Sequence, residues 1–178
     1  MPISIPVCGL IFRKTHSVNM FNSDQDHHET TFFDLGDNTA LVCVDHQQYQ
    51  KVIVPQLIDM TYKVHLGLFE EDVLLKLKTY AYDVVVVYEN FKGSTLQTNP
   101  ILAELTQRPD AQRRQHFVVL ISHRFATNDA MSAFVNSVDQ VINIGDLTNL
   151  KPVLRRGVAQ HRELYNAFNE MLKSVQSL

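Results

Sequence analysis

The chain reads as an α/β protein built on a doubly wound parallel sheet, and three observations predict it. From residue 39 onward, apolar runs of strand length alternate with segments of helical spacing. One of those runs is four consecutive valines, Val84 to Val87, which favours an extended strand covered on both faces. The alternation is long enough for five strand–helix units. Such units close into a compact sheet through right-handed crossovers, with 2-1-3-4-5 as a common strand order.

Each element has its own signal. Ala40 to Val44 is an unbroken apolar run of strand length. Gln47 to Met60 has helical spacing, with Val52, Ile53, Leu57 and Met60 on one side and Pro55 inside, where a kink or a loosened ladder is expected. Lys63 to Leu66 is a second, weaker strand. Glu70 to Thr79 carries Val73, Leu74 and Leu77 at helical steps, and Glu70, Glu71 and Asp72 suit its positive N-terminal end. Asn99-Pro100 pairs a cap with a first-turn proline and starts the next helix. Phe117 to Ile121 is a strand, Asn128 to Val135 a short helix and Gln140 to Ile144 the last strand.

A long helix over about 147–175 closes the chain, with Asp146 or Asn149 as its cap and Pro152 near its start. Leu150, Leu154, His161, Leu164, Phe168, Met171 and Val175 recur along it at helical steps. A helix of that length reaches about 40 Å, more than the sheet beneath it covers. Leu154, His161, Leu164, Phe168, Met171 and Val175 are therefore the expected seam with a second copy of the chain, making a homodimer.

The domain proper spans 39–178, and residues 1–38 form an N-terminal β-rich extension. Ile3 to Phe12 and Thr30 to Leu35 have β character, and the polar stretch Asn22 to Glu29 between them reads as a loop. Asp24, Asp26, His27, His28 and Glu29 are adjacent acids and imidazoles, and their plain reading is a solvated turn rather than a metal cluster.

Composition narrows the function. Apolar residues make up 45% and charged residues 20%, an ordinary globular balance. A formal net charge of -3 leaves no electrostatic footprint for nucleic acid. No apolar run nears the roughly 18 residues of a membrane span, and no signal peptide is expected. Cys8 and Cys43 are far apart and make no metal-like pair, which suits a reducing cytoplasm. No phosphate loop, nucleophile elbow or catalytic cysteine setting is present, so no enzyme and no cofactor are expected.

Ligands of doubly wound sheets bind beyond the carboxyl ends of the strands. There the segment Tyr82-Asp83-Val84-Val85-Val86-Val87-Tyr88-Glu89-Asn90-Phe91-Lys92-Gly93 resembles the third strand and following loop of a response-regulator receiver domain. The resemblance covers residues 39 to about 155 and implies a flavodoxin-like fold and a bacterial, phosphorelay-related signalling role. A working receiver has two acids after strand one, a phosphoacceptor aspartate after strand three, Ser or Thr after strand four and Lys after strand five. By resemblance those places fall here on Asp45 and His46, on Tyr88 with Glu89 beside it, on Ser122 with His123 beside it, and on Ile144. The aromatic switch place falls on Val141.

Nucleophile, second acid and lysine are thus missing, and the resemblance implies a pseudo-receiver that signals by docking to a protein partner without phosphorylation. Tyr88 is expected to fill the emptied pocket with its ring and to hydrogen-bond through its hydroxyl. The alternative is a small-ligand or metal sensor at the same sheet end, with Asp45, His46, Glu89 and His123 as candidate ligands.

Overall fold

The computed structural model describes residues 37–176, apart from the side chains at 110, 111, 167 and 169–176. The expected β extension, but for its last two residues, and its Asp24 to Glu29 cluster lie outside the described residues. In order come β1 (Asn38–Cys43), α1 (Gln47–Asp59), β2 (Tyr62–Leu66), α2 (Glu70–Thr79), β3 (Val84–Tyr88), α3 (Pro100–Gln107), α4 (Asp110–Arg113), β4 (Phe117–Ser122), α5 (Ala130–Val135), β5 (Gln140–Asn143) and α6 (Leu150–Gln176). Short 3-10 turns lie at Phe91–Gly93 and Ile144–Asn149.

The five strands are all parallel and stand in the order β2-β1-β3-β4-β5, the topology expected from the alternating pattern. Strand alternation sends side chains to two cores. Val84, Val86 and Tyr88 of β3 join Ile53 and Leu57 of α1 and Leu150, Leu154 and Val158 of α6. Val85 and Val87 join Val73 and Leu77 of α2, Ile101, Leu102 and Leu105 of α3 and Ala133 of α5. Burial on both faces is why β3 is continuously apolar rather than alternating.

Local chemistry sets the helix ends, with some differences from expectation. Asn99 caps α3 as predicted, accepting from the amides of Ile101 and Leu102, with Pro100 in the first turn. α5 starts at Ala130 rather than Asn128: Asp129 caps it, and Asn128 adopts a φ of 64 before it. α1 runs through Pro55 as a single helix. The short helix α4 gave no periodic signal, because a single turn offers none.

α6 begins at Leu150, directly after the 3-10 turn over Ile144–Asn149. Asp146 accepts from the Thr127 hydroxyl. The start of α6 is met by Gln56 of α1, whose Oε1 accepts from Lys151 N at 2.9 Å while its Nε2 donates to Leu147 O at 2.8 Å. That cap comes from a residue far away in sequence, which local spacing does not reveal.

β5 is an edge strand, and its outer margin is closed by its own connection. Asn128 N donates to Val141 O at 2.9 Å, and Asn143 N donates to Thr127 Oγ1 at 3.0 Å. α6 crosses this margin at Gly157. A Cβ there would lie 2.8 Å from both Gln140 Oε1 and Phe117 Cζ, so the helix comes this close only with glycine.

At the amino ends of β3 and β4, His116 is 3% exposed. Its Nδ1 donates to Tyr82 O at 2.6 Å, and its Nε2 accepts from Arg108 Nη1 at 3.1 Å. This arrangement holds the neutral ring, and burial, then Arg108 and Arg113, lower its pKa.

Candidate functional site

The carboxyl end of the sheet gathers the residues singled out in the sequence. Tyr88 is the last residue of β3 and is 2% exposed. Its parity places the ring on the α1–α6 side of the sheet. There it meets the rings of His46 at 5.3 Å, Tyr49 at 5.7 Å and His123 at 5.8 Å, all edge-on. The phenol oxygen lies 2.7 Å from His123 Nε2. Burial raises the Tyr88 pKa above its ordinary value, with a smaller push from Tyr49.

Glu89 takes the opposite parity, and the strand register decides its partner. Tyr88 pairs with Ile121, so Glu89 comes level with Ser122 on β4. Its carboxylate, on a residue 1% exposed, accepts from Ser122 Oγ at 2.7 Å and from His123 N at 2.8 Å. Arg124 Nε stands 3.7 Å away. Ser122 Oγ also accepts from Arg124 N at 3.0 Å. The Ser122 hydroxyl, expected from the resemblance to take the phosphoryl-contacting place, is tied to a buried glutamate.

Asp45 holds the loop after β3. Its Oδ2 accepts from Lys92 N at 3.0 Å, where Lys92 has a φ of 55. The other oxygen, Oδ1, is buried and meets no hydrogen-bond partner among the described residues. His46, at the second acid position, is exposed and packs edge-on against Tyr49. Ile144, where the resemblance would put the lysine, packs against the α1–α6 core. Asn143 stands before it and fixes the loop after β4, donating to Phe125 O at 2.7 Å.

Three residues essential to this arrangement escaped the sequence reading. Tyr49 supplies a ring against Tyr88, and only its place in the first turn of α1 hints at that. Asn99 was read as a cap alone, yet its Nδ2 also donates to Tyr88 O at 3.0 Å. Arg124 reaches Glu89 from the loop beyond β4, a contact that no sequence spacing signals.

The donor set does not fit the magnesium of a working receiver. Asp45 has His46 rather than a second acid beside it, and β3 ends in a phenol. Among the described residues no three His, Cys, Asp or Glu side chains come together to hold an ion. Glu89 is committed to Ser122 and His123 N, and His123 to Tyr88.

The expected seam on α6 divides in two. Leu154 is wholly buried against its own sheet with Leu150, so it belongs to the core and not to a pairing face. Sequence steps of three and four mark one helix stripe, and that stripe is core at its start. His161 is half-buried and packs between Phe117 at 5.3 Å and Tyr165 at 4.5 Å. Leu164 is 67% exposed and Phe168 37% exposed. Met171 and Val175 fall outside the described side chains.

No protein-family model and no curated protein sequence matches the chain. Solved structures do. A putative response regulator from Chloroflexus aurantiacus is similar over 69% of this chain and 98% of its own, at 12% identity and a TM-score of 0.57. The chemotaxis response regulator CheY4 of Vibrio cholerae is similar over 68% of this chain and 98% of its own, at 13% identity and a TM-score of 0.55. NtrX from Brucella abortus is similar over 76% of this chain and 29% of its own, at 19% identity and a TM-score of 0.60. The fold is that of a receiver domain. No helix among the described residues is long and apolar enough to cross a membrane.

Proposed function

We propose that this chain is a non-catalytic pseudo-receiver, a signalling or scaffold module that acts by binding protein and does so without phosphorylation. One observation carries the reading. The phosphoacceptor place at the end of β3 holds a buried phenol whose ring and hydroxyl are both engaged. A phenol cannot form an acyl phosphate, and no metal-binding pair of acids stands beside it to neutralise a phosphoryl group. Glu89 does not stand in for the acceptor, because its carboxylate is buried under Ser122 and His123 N.

Nuclear magnetic resonance with magnesium and beryllium fluoride tests this. The expected result is no saturable shift at Asp45, Tyr88 or Ser122. Saturable binding centred on Asp45 and Ser122 would overturn the reading.

The same reading includes a homodimer formed through α5 and α6. Met131, Phe134 and Val135 of α5 are 71%, 81% and 71% exposed, and Leu164 of α6 is 67% exposed. A second copy covering both helices would bury these side chains, and α6 is 27 residues long, with length to spare for pairing. Light scattering on the full chain is expected to give twice the monomer mass, and Leu164→Glu to give a monomer. A monomeric wild type removes the dimer while leaving the docking role to stand on Tyr88.

A further inference from the structure

The two margins of the sheet differ. The connection through Thr127 and Asn128 closes the β5 margin, whereas among the described residues no strand lies outside β2. Gly67 N donates to Val42 O at 2.9 Å, and the two-residue period of a parallel ladder then turns the backbone of Lys63 and His65 inward to β1. Tyr62, Val64 and Leu66 turn theirs outward. Leu66 O accepts from Lys76 Nζ at 2.8 Å, which guards the carboxyl end of this margin. The backbone N–H and C=O of Val64 have no such guard among the described residues.

The chain itself leads to that margin. β1 has β2 on one side and β3 on the other, so the segment before it finds no place beside β1. Asp37 Oδ2 lies 2.6 Å from Lys63 Nζ, which ties the entry to β1 against β2. Two strand spacings, about 10 Å, separate β1 from a strand beyond β2. Three Cα steps from Leu35 to Asn38 reach up to about 11 Å, and Gly36 gives the turn its conformational freedom. A segment that turns there runs antiparallel to β2.

Thr31-Phe32-Phe33-Asp34-Leu35 has the composition for such a strand, β-branched and aromatic. Consecutive phenylalanines put one ring on each side of a sheet in either register. On the α1 side the margin offers Val64, half-buried against the core, and Leu66, 36% exposed. Asp34 leaves a charge on the new border, which discourages a further strand.

We propose that residues 31–35 dock on the outer margin of β2 in the same molecule, as a sixth strand antiparallel to it. A link of two residues, Gly36 and Asp37, holds this segment beside the margin at an effective concentration that no second copy or foreign strand matches. The β2 margin lies across the sheet from β5, so the contact is independent of pairing through α5 and α6 and of the state of Tyr88.

Amide hydrogen exchange, followed by nuclear magnetic resonance on the full chain, tests this. The Val64 amide is expected to exchange at least about a hundredfold more slowly than in an open chain, because a bonded strand covers it. Amides alternate inward and outward along a strand, so proline at one of two successive positions removes a rung. Phe32→Pro or Phe33→Pro, whichever takes the inward amide, is expected to speed Val64 exchange by about tenfold or more while His65, bonded to β1, stays protected. Nuclear Overhauser contacts to Val64 are expected from Phe32 or Phe33 of the same molecule. Open-chain exchange at Val64 in the wild type, or unchanged protection in both proline variants, would overturn the proposal. Equal loss at His65 and Val64 would also overturn it, since that reports general loosening and not a lost strand. In a sample mixing labelled and unlabelled chains, contacts that arise only between molecules would give the margin to a second copy and overturn it too.

Discussion

Tyr88 shows how one residue at the carboxyl end of the central strand fills the space beside it. An aspartate at that place would leave room beside it, and the phenol fills the room with a ring that three neighbours contact. Its hydroxyl bond to His123 adds a modest term, because His123 is exposed and returns to water when the bond is lost. Tyr88→Phe is therefore expected to lower unfolding stability by only about 1 kcal/mol, and Tyr88→Ala by about 3–5 kcal/mol, measured by urea denaturation. Equal costs for the two variants would mean that the hydroxyl, not the ring, holds the site.

The place of Tyr88 at the end of β3 was legible in the sequence, since the valine run fixes where the strand ends. The fate of Glu89 was legible only in part. Alternation separates it from Tyr88, but its pairing with Ser122 needs the β3–β4 register, which is a tertiary fact.

The elements were legible where their signals are local and repeated. Strand runs, the Asn99-Pro100 start and the acidic first turn of α2 act within a few residues, and the structure places each near its predicted bounds. What escaped are features made by contact between distant segments. The Gln56 cap on α6 joins α1 to the last helix. The burial of Leu154 arises because the first two turns of α6 lie on the sheet. The apolar stripe does not say which of its turns meet the sheet and which meet something else.

Gly157 is a further case, since a glycine within a helical stripe looks like a weakness in the seam. In place it is the point of closest approach between α6 and the β4–β5 margin. Gly157→Val is expected to push the helix off Gln140 and Phe117 and to cost about 1–3 kcal/mol, read as a lower denaturation midpoint at unchanged slope. An unchanged midpoint would show that α6 does not depend on that contact.

At the scale of the whole molecule, two imidazoles make stability depend on pH. Burial lowers the pKa of both His116 and His161 in the folded state. The unfolded chain therefore takes up protons first, as pH falls through the ordinary imidazole value of 6.5. Their contribution is fully present above that pH and declines below it, until the folded rings also protonate. Melting temperature is expected to drop between about pH 6.5 and 5, and His116→Gln to flatten the slope. A melting temperature that is flat across that window would show that neither ring is held neutral.

The strap at Thr127 and Asn128 has a consequence for how these molecules behave at high concentration. Sheets exposing an unsatisfied border invite neighbours to stack on it, the first step towards fibrils. On this flank the backbone groups at Val141 and Asn143 are already taken, so a foreign strand must first peel the strap away. Loosening the strap, rather than the valine-rich centre, is what would convert this flank from inert to sticky.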